Sequence, residues 1–346
     1  MDFSIASILV LDGVTNGAIY ALLGIATVLL FVVTRVIFIP QGEFVAYGAL
    51  TLAMLQLGKV PGTAWLLAVL ALVSAVIDFG GGLRRRKPMG VLLKSAASTL
   101  GVPLVVLLVT LYAASRQWPL WAQSVLTLAI VTPLGPLVYR LAYQAIADAT
   151  VLTLLIVSVG VHFALTGLGL VFFGAEGFRN PPFWDARFAA GGLQLTGQTI
   201  IIFAVSIILI VALAWFFGRT VYGKSLRATA VNRLGARLMG ISTSGAGKLS
   251  FGLAAFIGAL SGLLIGPSTT MFYDSGFLIG LKGFVAAIVG GLSSYPVAAL
   301  GAVFVGVLES FGSFYASAFK EVIVFTFILP VLVWISLRHG HHDDEE

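Results

Sequence analysis

The chain has 346 residues, of which 59% are apolar and 10% charged, and its mean hydropathy is +1.05. A soluble domain carries about 25% charge, so a water-facing surface of this size is excluded and the medium is a bilayer. The lack of cysteine excludes disulfides and thiolate metal sites; the net charge of +6 reads as basic loops on one side of a membrane rather than as a nucleic-acid surface.

A spanning helix needs roughly 20 mostly apolar residues. Apolar segments fall near 5–34, 42–58, 61–79, 95–115, 118–138, 150–173, 199–217, 249–266, 280–292, 296–313 and 319–337. Strand-period alternation is absent. The predicted fold is all-α, a polytopic transmembrane helical bundle of about 9–11 membrane segments that includes broken or re-entrant helices. The opening "MDFSIASILVLDG" has no basic n-region and is not read as a cleaved leader. Segment 280–292 is too short to cross and is expected to be a half-span.

Three stretches are candidate breaks within the membrane: "VTNGA" (14–18), "IPQGE" (39–43) and "GGLSSYP" (290–296). Backbone groups freed at a break are tolerated only against protein or a water-filled path. Asn16, Gln41, Gly42, Glu43, Gly290, Gly291, Ser293 and Ser294 are therefore candidates for a translocation path or its gate. Glu309 joins them as the one carboxylate well inside a late span, where an acid is expensive. The competing reading places the breaks at lipid headgroups; Arg35 favours it for Gln41 and Glu43. Asp274 and Lys282 read as headgroup-level anchors, and His162 as a packing histidine without metal partners at helical spacing. The glycines of "GALSGLLIG" and "GAVFVGVLE" read as close helix packing.

Loop charge assigns sides. Residues 83–94 and 218–248 are basic and free of acids, whereas 174–198 balances Glu176 and Asp185 against Arg179 and Arg187. The positive-inside tendency makes the first two cytoplasmic and the third external, with the N-terminus outside and the C-terminus inside. "GRTVYGKS" (218–225) fits the phosphate-loop pattern letter for letter, but it follows an apolar span instead of a buried strand, so ATP binding is not expected. The stretch after it carries Leu226, Ala230, Leu234 and Leu238 at spacing four, with Arg227 and Arg233 off that stripe. It is expected to be a short amphipathic helix, resting on acidic lipid or docking a soluble partner. No catalytic dyad, triad or metal cluster stands at convincing spacing, so no enzyme is expected.

Three stretches together resemble the membrane permeases of ATP-binding-cassette (ABC) importers of the branched-chain amino-acid (Liv) type, relatives of sugar permeases of similar size. They are "DGVTNGAIYALLGIATVLLFVVTRVIFIPQGEFVAYGAL" (12–50), "GKSLRATAVNRLGARLMGI" (223–241) and "KGFVAAIVGGLSSYPVAALGAVFVGVLES" (282–310). "YRLAYQ" (139–144) resembles the family's inner loop, which leaves about 58–116 as an added pair of spans within one permease domain over 1–338, followed by a polar tail at 339–346. The sequence departs from the family pattern at Phe38–Gln41 and at Ser293–Ala298. The resemblance implies a subunit in the plasma membrane, bacterial inner membrane by kind, that conducts a small solute such as a branched-chain amino acid. It implies a second permease subunit, two cytoplasmic ATPase subunits and a periplasmic solute-binding protein as partners. It places ATP and Mg on those ATPase subunits, with no cofactor or metal in this chain and no nucleic acid. Carried onto this sequence, Lys224, Arg227, Ala228, Ala230, Arg233, Leu238, Gly240 and Ile241 form the ATPase-coupling loop. The alternative class is a self-sufficient ion-coupled secondary transporter or channel, which needs ionisable residues at the midplane; His162 and Glu309 are the candidates.

Overall fold

The computed structural model describes residues 3–86, 88–116, 118–190, 193–292, 294–327, 329–331, 333 and 337. Ser293 and the polar tail lie outside the described residues. Every apolar segment read from the sequence carries a helix. Among the described residues eight are long and apolar enough to cross a membrane: α1 (Phe3–Thr34), α3 (Gly62–Arg84), α4 (Met89–Ala114), α5 (Leu120–Ile146), α6 (Val151–Phe173), α7 (Gly197–Arg219), α10 (Thr243–Ile265) and α12 (Tyr295–Tyr315). Two are shorter, α2 (Gln41–Gln56) and α11 (Ser275–Val289), and α13 (Lys320–Thr326) opens the last segment. Between α7 and α10 lie the surface helices α8 (Val221–Val231) and α9 (Arg233–Leu238). A hairpin, β1 (Arg187–Ala190) with β2 (Leu193–Thr196), precedes α7 and pairs Arg187 with Thr196.

Local chemistry sets where these helices begin. Pro40, Pro61, Pro88 and Pro119 stand immediately before α2, α3, α4 and α5, where a missing N–H costs nothing and a fixed φ is already near the helical value. Thr150, Thr196, Thr220, Asn232 and Ser242 cap α6 to α10, each side chain accepting a backbone N–H three residues on. Within α5, Pro133 and a π-turn at Tyr139–Tyr143 interrupt the regular ladder.

The centre of the bundle is α1, α2 and α10. The most apolar stretches of α1 and α10 are 83% and 72% buried, against 28% and 22% for α6 and α7, so the last two belong to the lipid-facing rim. Their outward side chains, Phe163, Val171, Ile208 and Val211 among them, are exposed and apolar. Tail hydrocarbon is as apolar as leucine, so helices here associate through close packing of small residues. A methyl group on Gly17 of α1 would stand 2.6 Å from Val303 Cα, and one on Gly13 would stand 2.5 Å from Val307 Cα, both on α12. Gly48 of α2 lies as tightly against Ala259 of α10. The glycine stretches therefore pack helices, as the sequence indicated.

That packing corrects one expectation. Residues 14–18 do not break the chain: α1 runs without interruption from Phe3 to Thr34, and Gly17 is needed for the α12 contact. The phosphate-loop pattern follows the helix α7, as expected for an accidental match.

Candidate functional site

The helices place different chemistry at the two ends of the bundle. Helix α7 runs from the β-hairpin to α8 over 23 residues, about 34 Å at 1.5 Å per residue, so the hairpin end and the α8 end are a membrane thickness apart. At the hairpin end lies a cavity of about 1000 Å³. Its walls are α1, with Asp12, Asn16 and Tyr20, the 179–187 segment, and the ends of α11, α12 and α13.

The cavity floor is a buried charge cluster. Lys282 Nζ of α11 donates to Glu309 Oε1 of α12 at 2.6 Å and to Glu321 Oε1 of α13 at 3.1 Å. Tyr20 Oη of α1 donates to Glu309 Oε2 at 2.7 Å, and the Lys282 ammonium stands 5.7 Å from the Tyr20 ring centre. The side chains of Lys282 and Glu309 are 5% and 11% exposed and that of Glu321 is 30%. Any one of these charges alone inside a membrane is costly, and pairing with full hydrogen bonding is what makes them tolerable. Lys282 is thus no headgroup anchor: it is the hub joining three helices. Asp274, by contrast, is exposed at the start of α11.

The break at 39–43 is real and deeper than Arg35 suggested. After Thr34 the chain reverses, with Arg35 at φ 58, and residues 36–40 climb back into the bundle. Phe38 packs there against Phe44, Tyr143 and Phe251. Helix α2 then starts halfway up. Gln41 Nε2 donates to the Ala254 carbonyl at 3.0 Å, near the middle of α10. Glu43 is fully buried, with Oε1 3.0 Å from Nδ1 of His162, near the middle of α6. The two groups are in close polar contact without an aligned hydrogen bond. Gln41 and Glu43 are therefore within the bundle and not at the headgroups, and His162 is the partner of an intramembrane acid. Gly42 allows the approach: its α-carbon abuts the backbone of Gly276 and Gly280 on α11.

The turn at 290–296 joins α11 to α12 at the opposite end. Gly291 and Leu292 have φ of 62° and 54°. Tyr295 stacks on Phe217 at 6.0 Å, near the end of α7. Gly290, Gly291 and Ser294 thus belong to the α8 end and do not line the cavity at the hairpin end. Of the proposed path residues the structure brings Asn16 and Glu309 together around the cavity and sets Gln41, Gly42 and Glu43 elsewhere in the core, against α10, α11 and α6.

At the α8 end, Asn232 splits the expected single amphipathic helix in two. Its Oδ1 accepts Gly235 N–H at 2.7 Å and starts α9 in a new direction. The spacing-four stripe is therefore not one face. Leu226 is buried against Leu29, Val33 and Ala246, with Ala230 beside it, whereas Leu234 and Leu238 are exposed. Arg233 donates to the Ala147 carbonyl at 2.8 Å, and Arg237 holds Asp148 at 2.9 and 3.1 Å, which locks α9 to the 147–149 turn. Lys224 and Arg227 carry no such contact among the described residues and share a shallow groove with Ala228, Val231, Met239 and Ile241. Gly240, at φ 80, turns the chain toward α10.

A family profile described as branched-chain amino acid transport system, permease component, matches residues 95–333. The chain belongs to this family. It is 27% identical over 215 residues to the high-affinity branched-chain amino acid transport system permease protein BraD of Pseudomonas aeruginosa, covering 60% of this chain and 70% of that one. It is 28% identical over 217 residues to the corresponding permease protein LivH of Escherichia coli, covering 60% and 69%. A shorter likeness, 30% over 103 residues, reaches the autoinducer 2 import system permease protein LsrC of Yersinia pestis, covering 28% of this chain and 29% of that one. A solved chain of PsaBC from Streptococcus pneumoniae aligns over 92% of this chain at 13% identity and a TM-score of 0.38, too loose to carry an argument about the fold.

In this permease the residues that sequence reasoning missed are Tyr20, Lys282 and Glu321. Their partners stand 27 to 289 positions away along the chain. A lysine inside a segment otherwise apolar from 275 to 289 was the one available signal.

Proposed function

We propose that this chain is the solute-conducting permease subunit of an ABC importer for branched-chain or related amino acids. The hairpin end and the N-terminus face outward, and α8, α9 and the C-terminus face the cytoplasm. The observation that carries the reading is the α8–α9 surface. Val231, Leu234, Leu238 and Met239 are 67–88% exposed there beside the unpaired Lys224 and Arg227, a combination that fits a protein partner better than water alone. Lys224, Arg227, Ala228, Ala230, Arg233, Leu238, Gly240 and Ile241 act as the coupling element, Arg233 by holding α9 in place. Two cytoplasmic ATPase subunits bind there and supply ATP chemistry with Mg; this chain supplies none. A second permease subunit completes the path, and a periplasmic binding protein delivers solute to the outer cavity. ATP binding closes the ATPase pair, and the motion biases the helix bundle between two arrangements. Residues 1–338 act as one permease domain, to which 58–116 adds the α3–α4 hairpin.

The test is co-purification from native membranes. The wild-type chain is expected to bring down a nucleotide-binding ATPase and a second permease. Arg227→Glu and Met239→Glu, both at exposed positions, are expected to lose the ATPase while the helix content by circular dichroism stays unchanged. Retention of the ATPase by both variants would remove α8 and α9 from the mechanism.

A further inference from the structure

The α8 end holds two cavities beside the chain reversal at 35–40. The first, of about 430 Å³, lies under α8 and α9, between Val32 and Val33 in the last turn of α1 and Leu154 in the first turn of α6. Arg35, Arg233 and Asp148 also line it. Asp148 is already occupied by Arg237, which donates to both its oxygens, and Arg233 donates to the Ala147 carbonyl. The exposed Arg35 guanidinium has no partner among the described residues. Arg35, Arg233 and Arg237 thus stand against a single acid, and Arg35 is the cation left to meet a ligand.

The second cavity, of about 250 Å³, lies deeper, between α1, α6 and α11. Helix α1 ends at Thr34, so Thr27 on its wall is about 10 Å further into the membrane at 1.5 Å per residue. The two cavities adjoin: Leu154 of α6 lines the first and Leu155 the second, and Arg35 of the first is followed two positions on by Ile37 of the second. The polar side chains of the deeper one are engaged elsewhere. Thr27 donates to the Leu23 carbonyl at 2.9 Å and Gln41 to the Ala254 carbonyl at 3.0 Å. The surface that remains is an apolar slot, with Ile37, Ile39, Leu155, Leu281 and Phe284 all half-buried.

A free anion would use Arg35 and leave the slot empty. An uncharged apolar molecule would do the reverse, and an acidic loop of a soluble partner would not enter the membrane. A molecule with an anionic head and a hydrocarbon tail uses both, and basic pockets between the ends of spanning helices are where such headgroups bind. We infer that the two cavities together form a binding site for one anionic phospholipid, with its phosphate at Arg35 and an acyl chain in the slot between α1, α6 and α11. Arg233 and Arg237, by holding the 147–149 turn, keep α9 over the headgroup. The lipid lies directly beneath Thr229 and Ala230 of α8, and the site does not depend on which solute the bundle conducts.

The experiment uses the full chain, purified with whatever subunits accompany it and placed in nanodiscs of equal parts phosphatidylcholine and phosphatidylglycerol. Native mass spectrometry reads which lipid stays bound on release. Phosphatidylcholine carries the same phosphate with a cancelling cation, so the ratio isolates the net charge. Phosphatidylglycerol is expected to be retained over phosphatidylcholine by about fivefold or more, the worth of one cation near a membrane surface. Arg35→Asn removes that charge at an exposed position and keeps a residue that accepts the φ of 58 found there; it is expected to bring the ratio close to one. Leu155→Trp fills the slot and is expected to do the same, while Arg85→Asn, an exposed cation that lines neither cavity, is expected to change nothing. An excess of inorganic phosphate is expected to leave the wild-type lipid in place. A wild-type ratio near one, an equal loss in Arg85→Asn, or a preference that survives Arg35→Asn would overturn the site, and Arg35→Asn decides this even if the tryptophan variant does not fold. Displacement of the lipid by inorganic phosphate, or a preference unchanged in a folded Leu155→Trp protein, would make this a site for a phosphate alone and would equally overturn the inference.

Discussion

Replacing Lys282 with methionine removes the hub of the buried cluster while nearly preserving its volume. At 2.6 Å from Glu309, the pair attraction is about 6 kcal/mol at an effective dielectric of 20, and desolvation of the two ions opposes it by several kcal/mol each. The net worth of the pair is therefore small, but the cost of breaking it is not. In the Lys282→Met protein Glu309 keeps the Tyr20 hydroxyl and loses its counter-ion in a site it cannot leave. Glu321, 30% exposed, turns to water in the cavity and adds less. The single change is expected to cost about 3–5 kcal/mol, the range for stripping one partner from a buried ion pair. Adding Glu309→Gln restores a neutral acceptor for Tyr20 and should return at least ~2 kcal/mol of that loss, since replacing both members of a buried pair is often close to neutral. Equilibrium unfolding in mixed detergent and dodecyl sulfate micelles, followed by circular dichroism, gives the four corners of the cycle. Single variants that each cost under ~1 kcal/mol, with additive effects in the double, would refute the argument that these charges depend on one another.

Other expectations follow from the same contacts. Gly17→Leu must push α1 away from the Val303 backbone and is expected to cost upwards of about 3 kcal/mol, the top of the overpacking range, whereas Gly101→Ala meets open space and should gain about 0.5–1 kcal/mol from helix propensity; thermal unfolding of both checks the contrast. His162→Phe leaves Glu43 buried without its partner, and the expected loss is about 3 kcal/mol, recovered largely by Glu43→Gln in the same protein. The chain has no cysteine, so a single Asp185→Cys or Ser225→Cys reports orientation: an impermeant maleimide is expected to label position 185 in intact cells and position 225 only after permeabilisation, and the reverse pattern would invert the topology. Leu226→Ala loosens α8 from α1 at a side chain 1% exposed, with an expected cost of about 2 kcal/mol and more ATP hydrolysed per solute imported by the assembled system.

Helix number and placement were legible because the bilayer imposes length and polarity on every span, and those are written residue by residue. The half-length of α11 was legible for the same reason. What failed to read out was depth. Proline and glycine at 40–42 announced a break, but Arg35 pulled the expected position to the surface, and only the contacts of Gln41 with Ala254 and of Glu43 with His162 set it at mid-bundle. Asn16 and Gly17 looked like a break and are helix, because a glycine made small for packing carries the same letter as one made free for turning. The α8–α9 bend escaped for a related reason: a stripe at spacing four assumes one axis, and Asn232 as a cap changes the axis. Lys282 was misplaced because a lysine near the end of a short segment is ordinarily a surface residue, and its acids are contributed by other helices.

Helix α1 is in contact with both ends of the molecule. Its first half lines the cavity at the hairpin end and hydrogen-bonds the floor through Tyr20. Its last turns, Leu29 and Val33, hold Leu226 of α8. Val32, Val33 and Arg35 also wall a second cavity of about 430 Å³ under α8 and α9. Between these ends it is sealed to α12 by glycine contacts that leave no slack. A tightly packed interior transmits displacement because it cannot be compressed. A push on α8 would reach α1 and α12 as one body; within the charge cluster the Lys282–Glu309 bond ties that body to α11, and the Lys282–Glu321 bond carries the tie on to α13. A change in the relative positions of α11, α12 and α13 at the hairpin end would stretch or exchange those bonds, which would make the buried charge cluster both the floor of the cavity and the joint on which it opens.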